Sequence, residues 1–228
     1  MCGRFVQVEK PEFYADHFGA EFVRTETLRE SYNVAPTSQV YAVVEHEGDR
    51  ALTSFRWGLI PSWAKEKKIG AKTFNARSET AADKPMFRSS FTKRRCIIPV
   101  DGFYEWERRG DKGKLPHFIF GADKTPLPAA GLWSTWKDPE TDELLRTCTI
   151  LTGTPNGLIE KLHDRMPVIM PENDWDAWLD PDLTDKEAIK ALMGVYPESL
   201  MDEYPVSTLV NKVQNNTVDL LTPLNLPT

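Results

Sequence analysis

Short apolar runs, rich in β-branched and aromatic residues and separated by clusters of Gly, Pro and charge, fill the first two thirds of the chain. That pattern predicts strands. "QVYAVVEH" and "RALTSFRWG" flank an "EGD" turn and read as a hairpin. "RRCIIPVDGFYEWERR" is strongly β-prone with a Pro-x-Asp-Gly interruption, which predicts strand, bulge or turn, strand. "HFIFG", "PAAGLWSTW" and "LRTCTILTG" continue the series. Helical patterns are fewer. "PNGLIEKLH" predicts a helix capped by Thr154 with Pro155 in its first position. "TDKEAIKALMG" carries a capping box, Thr184 with Glu187, and stops at Gly194. "PENDWDAWLD" predicts a third short helix.

The 17 prolines call for many short elements joined by defined turns, and no repeat, low-complexity tract or Gly/Ser linker interrupts them. The expected architecture is α+β: one β-rich domain over residues 1–228, with a mostly antiparallel, barrel-like sheet and several short helices. The length suits a full core, and 40% hydrophobic with 27% charged residues describes an ordinary globular protein. No apolar run approaches a membrane span, and the amino terminus lacks the basic and apolar regions of a signal peptide. Cys2, Cys96 and Cys148 are odd in number and form no C-x-x-C pair, which argues against a disulfide framework or a metal site and fits a reducing compartment.

Charge changes the picture. The net charge of −6 alone disfavours a nucleic-acid partner, but residues 56–95 hold eleven Lys/Arg against three acids. Residues 171–203 hold ten acids against Lys186 and Lys190. Binding responds to the local field and not to the total, so the basic stretch is either a nucleic-acid surface or a solvated face.

The candidate chemistry begins at "MCGRF". Removal of Met1 leaves Cys2 with an α-amine and a thiol on adjacent carbons, a 1,2-aminothiol. With an aldehyde this pair forms an imine that the sulfur closes into a thiazolidine, without a cofactor. The α-amine, with an ordinary pKa of about 7.7–8.0, is more nucleophilic at neutral pH than a lysine. Otherwise Cys2 is a small buried hydrophobe. In "FNARSET", an extended backbone puts Asn75 and Arg77 on one face, suited to an oxyanion or hydroxyl and to a phosphate; alternatively Asn75 caps a helix and Arg77 pairs with Glu79. Glu105 in "DGFYEWE" is either a poorly solvated acid/base or a carboxylate in water on an alternating strand. His163 in "LHDRMPVIM" sits at a predicted helix end where Asp164 can orient its ring, or is simply a C-terminal capping histidine. His17, His46 and His117 need only structural roles. "RWGLIPSWAK" places Trp57, Pro61 and Trp63 beside the basic run, either to stack unpaired bases or as core. Arg4 lies close enough to Cys2 to hold a phosphate.

Six stretches occur in order: "MCGRF", "YNVAP" at 32–36, "RWGLIPSW" at 56–63, "NARSET" at 75–80, "DGFYEW" at 101–106 and "HDRMPVIM" at 163–170. Together with "PVSTLVNKVQNN" they resemble the SOS-response-associated peptidase (SRAP) family, the abasic site processing proteins, from Cys2 to about Asn216. The resemblance implies a β-rich α+β fold and a DNA damage role: binding single-stranded DNA and linking Cys2 covalently to the ring-opened abasic sugar as a thiazolidine. It places Asn75, Glu105 and His163 in the active site and Arg4 and Arg77 on phosphates. It also implies peptidase-type self-processing and lyase-type activity, a cytoplasmic, nucleoid-associated monomer, and no cofactor or metal. With only Met1 ahead of Cys2, no propeptide needs cutting.

Two rivals share these residues. One is an amidohydrolase or peptidase with Cys2 as nucleophile and His163 as acid/base. The other is a non-catalytic DNA-binding module.

Overall fold

The computed structural model describes residues 2–46 and 48–225. Thirteen strands are seen among them: β1 (Phe5–Gln7), β2 (Phe22–Val23), β3 (Ser31–Val34), β4 (Gln39–His46), β5 (Asp49–Trp57), β6 (Asn75–Arg77), β7 (Arg95–Val100), β8 (Gly102–Arg108), β9 (Lys114–Gly121), β10 (Leu127–Lys137), β11 (Leu144–Gly153), β12 (Met166–Pro167) and β13 (Met201–Pro205). The described helices are short: α1 (Pro11–His17), α2 (Ser78–Ala81), α3 (Arg88–Lys93), α4 (Gly157–Glu160), α5 (Trp175–Leu179) and α6 (Lys186–Ala191).

Every predicted strand is present. The 39–57 hairpin pairs from Gln39↔Arg56 to His46↔Asp49; Glu47 of the expected turn lies outside the described residues. Five strands close a barrel in the order β4, β5, β11, β10, β7 and back to β4. All of these pairings are antiparallel except β5 with β11, which runs parallel through Thr147↔Arg56 and Cys148↔Trp57. Beyond that point β6 takes over the same edge of β11, pairing Ile150↔Asn75 and Thr152↔Arg77 in parallel. The barrel seam is therefore filled by two segments in succession, with residues 58–74 looped out between them. A second, wholly antiparallel sheet runs β13-β9-β8-β1-β3.

Side-chain alternation divides the barrel strands between two cores. Val40, Ala42, Phe55, Trp57, Cys96, Ile98, Ala129, Cys148 and Ile150 share one core with Phe5, Phe103, Ile119 and Met201 of the second sheet. The opposite face, with Tyr41, Val43, Ile97, Leu132 and Leu151, is covered by Tyr14 of α1, Phe91 of α3, Trp178 of α5 and Ile189 of α6. Since helices cover that face, the first core lies inward. Gly131 is required there: a Cβ on it would sit 2.8 Å from the Cys96 sulfur and 3.1 Å from the Thr149 carbonyl oxygen.

Two helix starts differ from expectation. The 157–160 helix is capped by Asn156, whose side chain accepts from Ile159 N, and not by Thr154. Asp185 caps the last helix, accepting from Glu187 N and Ala188 N in place of Thr184. In both cases the residue nearer the helix had an oxygen at the right distance from the free N–H groups.

Arg95, counted with the basic run, is 2% exposed. Its guanidinium donates to the carbonyls of Trp178 (2.6 Å), Phe91 (3.0 Å), Thr92 (2.8 Å), Leu183 (3.1 Å) and Asp180. It ties α3 and α5 to the barrel and offers nothing to a ligand. Arg95→Ala would strand these acceptors, and chemical denaturation should show a loss of about 3–5 kcal/mol with an unchanged denaturant slope.

Candidate active site

Four distant segments meet at the barrel seam. Trp57 is fully enclosed, its ring edge-on to Phe5 at 4.9 Å and to Phe74 at 5.7 Å. Its indole N–H donates to the Phe74 carbonyl at 2.7 Å, which fixes the backbone one residue before Asn75. The Asn75 carboxamide then donates to the Cys2 carbonyl at 2.6 Å. Trp57 thus positions the site from behind, and its enclosed ring presents no face to a base. Pro61 is buried as well. Of the "RWGLIPSW" aromatics only Trp63 is open, 58% exposed beside Lys65, Lys68 and Lys72 along a shallow hollow of about 500 Å³.

Cys2 is 0% exposed and packs in the inner core. Burial first, and then the negative charge of Glu105, push its thiol far above the usual range. Such a thiol stays protonated and inert to adventitious oxidation until a neighbour changes its charge. Removal of Met1, on which a free α-amine at Cys2 depends, concerns a residue outside those described.

Glu105 projects from β8 on the face of Phe103, toward the inner core, while Tyr104 packs in a separate cluster behind the sheet. It is 4% exposed, so the alternative of a strand carboxylate in water does not hold. Desolvation raises its pKa, and the positive amino terminus of the chain pulls the other way. His117, its cross-strand partner, is tied to Glu203 at 2.5 Å.

His163 follows the end of α4, its N–H bonded to the Ile159 carbonyl at 2.9 Å. The ring Nε2 lies 3.9 Å from Glu105 Oε1. At the other nitrogen, the Arg165 N–H donates to Nδ1 at 3.0 Å, and Asp164 Oδ1 lies 2.8 Å away. Nδ1 thus meets a backbone donor and a carboxylate acceptor at once, and these contacts orient the ring with Nε2 facing Glu105. Desolvation lowers the pKa of His163, so the neutral ring is favoured. An acid with a raised pKa and a base with a lowered one, side by side, can exchange a proton at low cost.

The arginines divide. Arg77 is exposed on the same face of β6 as half-buried Asn75. Arg4 is half-buried and donates to Asn33 Oδ1 at 3.0 Å and to the carbonyls of Val210 (2.8 Å) and Asn211 (3.4 Å), acceptors with which any phosphate would compete. The Asn33 side chain gathers the carbonyls of Val210, Lys212 and Asn215, so "YNVAP" and "VNKVQNN" are locked together beside the amino terminus. Arg165 was not foreseen from its motif. It forms a two-point pair with Glu79 of α2 and also donates to the Thr152 carbonyl, holding the His163 turn against β11.

The SOS response associated peptidase (SRAP) model matches residues 1–213. The chain is 41% identical over 222 residues to the abasic site processing protein YoqW of Bacillus subtilis (strain 168), covering 97% of this chain and 99% of that one. It is 40% identical over 222 residues to the abasic site processing protein YoaM of the same organism, covering 97% of each. In structure it resembles a crystallised protein from Bacteroides thetaiotaomicron with a TM-score of 0.88 at 27% identity, over 98% of this chain and all of that one.

Burial of an acid sets a sign for stability. A raised pKa means that the Glu105 contribution is present at low pH and is lost as the pH climbs through its folded value. Glu105→Gln should therefore melt higher than the wild type at pH 8, by a margin that shrinks towards pH 4. Paired thermal melts read this directly, and a margin independent of pH would mean that Glu105 is not desolvated.

Proposed function

Because the chain belongs to the SOS response associated peptidase (SRAP) family, we propose that it processes abasic sites in DNA by capturing them covalently on its own amino-terminal residue. The observation that carries this reading is the identity of the residue the site encloses. The group held by Asn75 and faced by Glu105 is Cys2, with Met1 before it. Once Met1 is removed, only that position can offer an amine and a thiol together.

An abasic deoxyribose is a cyclic hemiacetal. It opens when its anomeric hydroxyl loses a proton and the ring oxygen gains one, which frees an aldehyde at C1′. The α-amine adds to C1′, and loss of water leaves an iminium. The sulfur then adds to the same carbon as the thiol gives up its proton. Aldehyde, amine and thiol thus yield one thiazolidine and one water. Glu105, with its raised pKa, serves the proton transfers of ring opening and imine formation. His163, through the Nε2 that faces Glu105, serves as acid/base on the sugar hydroxyl and in the reverse reaction. Asn75 holds the adduct through the Cys2 carbonyl. Capture removes the aldehyde that would otherwise promote strand cleavage by elimination.

Single-stranded DNA is the substrate we assign. It bends sharply, and exposed Arg77, Trp63 and the lysines around it suit a backbone and unpaired bases. The protein acts in this reading as a nucleoid-associated monomer. A peptidase using the same thiol is less well supported, since cysteine proteases rely on a thiolate of low pKa and burial drives Cys2 the opposite way.

A denaturing gel with single-stranded DNA carrying one abasic site should show a stable shifted band. Cys2→Ala and an added amino-terminal residue should each abolish it, and Asn75→Ala should slow its formation on the order of 10²-fold. A band formed equally well by Cys2→Ala would transfer the chemistry to a lysine and overturn the proposal.

A further inference from the structure

Asp101 opens the "DGFYEW" stretch yet has no part in the chemistry above. It is the residue between β7 and β8, where the chain crosses from the barrel to the second sheet. Its N–H donates to the Val6 carbonyl at 3.0 Å. Its Oδ2 accepts from Val8 N at 2.7 Å and from the Tyr14 hydroxyl of α1 at 2.7 Å. That hydroxyl accepts in turn from Glu9 N at 3.1 Å. One carboxylate thus gathers the end of β1 and the start of α1, while its Oδ1 is buried with no hydrogen-bond partner among the described residues.

The strand so held is the one that carries Cys2. Its ladder to β8 is short, with Phe5↔Phe103 and Val6↔Gly102 as register pairs and Tyr104 N bonded to the Arg4 carbonyl at 2.9 Å. Counting back along this register sets Gly3 across from Glu105. A slip by one residue would turn each β1 side chain to the wrong face, and a slip by two would carry Cys2 about 7 Å along β8. On its other side β1 pairs with β3 through a bulge between Phe5 and Gln7. Gln7 ties the strand to Tyr41 and Pro99 of the barrel. The side-chain tie to β8 is made by Asp101.

We propose that Asp101 is a positioning residue for the capture step: it locks the register of β1 on β8 and so holds Cys2 beside Glu105. This rests on the function proposed above. Burial foremost, with a smaller push from Glu9, raises the Asp101 carboxyl from 3.8 to about 6, against the hydrogen bonds from Tyr14 and Val8. Tyr14 and Glu9 are the titratable groups that face it. Because the folded value is the higher one, the stability that Asp101 contributes is present below pH 3.8 and is lost as the pH rises through about 6. At neutral pH the charged form orders β1 while weakening the fold as a whole. Asparagine keeps an acceptor without that burden.

The test compares Asp101→Ala and Asp101→Asn with the wild type in single-turnover capture at saturating abasic single-stranded DNA. Affinity is measured for the same strand carrying an unreactive tetrahydrofuran site, and hydrogen exchange for the Val6 and Val8 amides. Asp101→Ala should slow capture about ten- to a hundredfold, leave that affinity unchanged and speed exchange at both amides. Asp101→Asn should recover most of the rate, and its melting temperature should gain on the wild type between about pH 4 and about pH 8. Capture by Asp101→Ala at the wild-type rate overturns the proposal. If Asp101→Ala does not fold, Tyr14→Phe decides: slower capture at unchanged affinity supports the lock, and wild-type capture refutes it. If the wild type itself forms no adduct, the proposed function fails separately, and unchanged exchange at Val8 in Asp101→Ala would still overturn the lock.

Discussion

Closure of the barrel depends on a two-residue seam, Arg56 and Trp57 running parallel to Thr147 and Cys148. A five-stranded barrel has little interior, which is why Gly131 can carry no side chain and why small residues such as Ala42 and Ala129 share the inside with Phe55 and Trp57. The seam also determines where chemistry can occur. When β5 ends at Trp57, Gly58 turns away with a positive φ of 133° and its backbone lies against Gly70. The looped-out residues 58–74 carry the exposed Trp63 and its lysines, and the chain returns as β6 in the vacated slot. Asn75 is the first residue back. Its place is thus a consequence of how the barrel closes.

Electrostatics at the site follow from the same enclosure. Cys2 and Glu105 belong to the inner side of the molecule, and desolvation raises the proton affinity of both. His163, on a turn at the rim, is shifted in the opposite direction by the same cause because its charged form is the protonated one. Desolvation therefore shifts all three neighbouring side chains toward their neutral forms. In the proposed capture, the cation of the iminium would arise beside a carboxyl group whose charged form can compensate it. The environment is passive until the substrate changes it.

Much of this was legible from the chain, and the reasons for the rest are specific. The long strands were readable because β-branched and aromatic runs have few other uses, and the extended reading of Asn75 and Arg77 matches β6. Trp57 and Pro61 were ambiguous because a buried and a base-stacking tryptophan are spelled alike, and only the seam geometry separates them from Trp63. Arg95 misled because a guanidinium serves a ring of carbonyls as readily as a phosphate. Helix α1 escaped notice for want of a capping side chain: Lys10 stands at its N-cap and makes no cap bond.

The capture proposed above places its nucleophile ahead of β1, outside any strand or helix, where no backbone ladder of its own holds it. Here the missing support is supplied by groups distant in sequence. Asn75 holds the Cys2 carbonyl, Phe5 is pinned by Trp57, and Arg4 reaches Asn33 and the 210–211 backbone. These ties arise from the seam, the second sheet and the closing segment, so the placement of Cys2 is a property of the whole fold and not of its own strand.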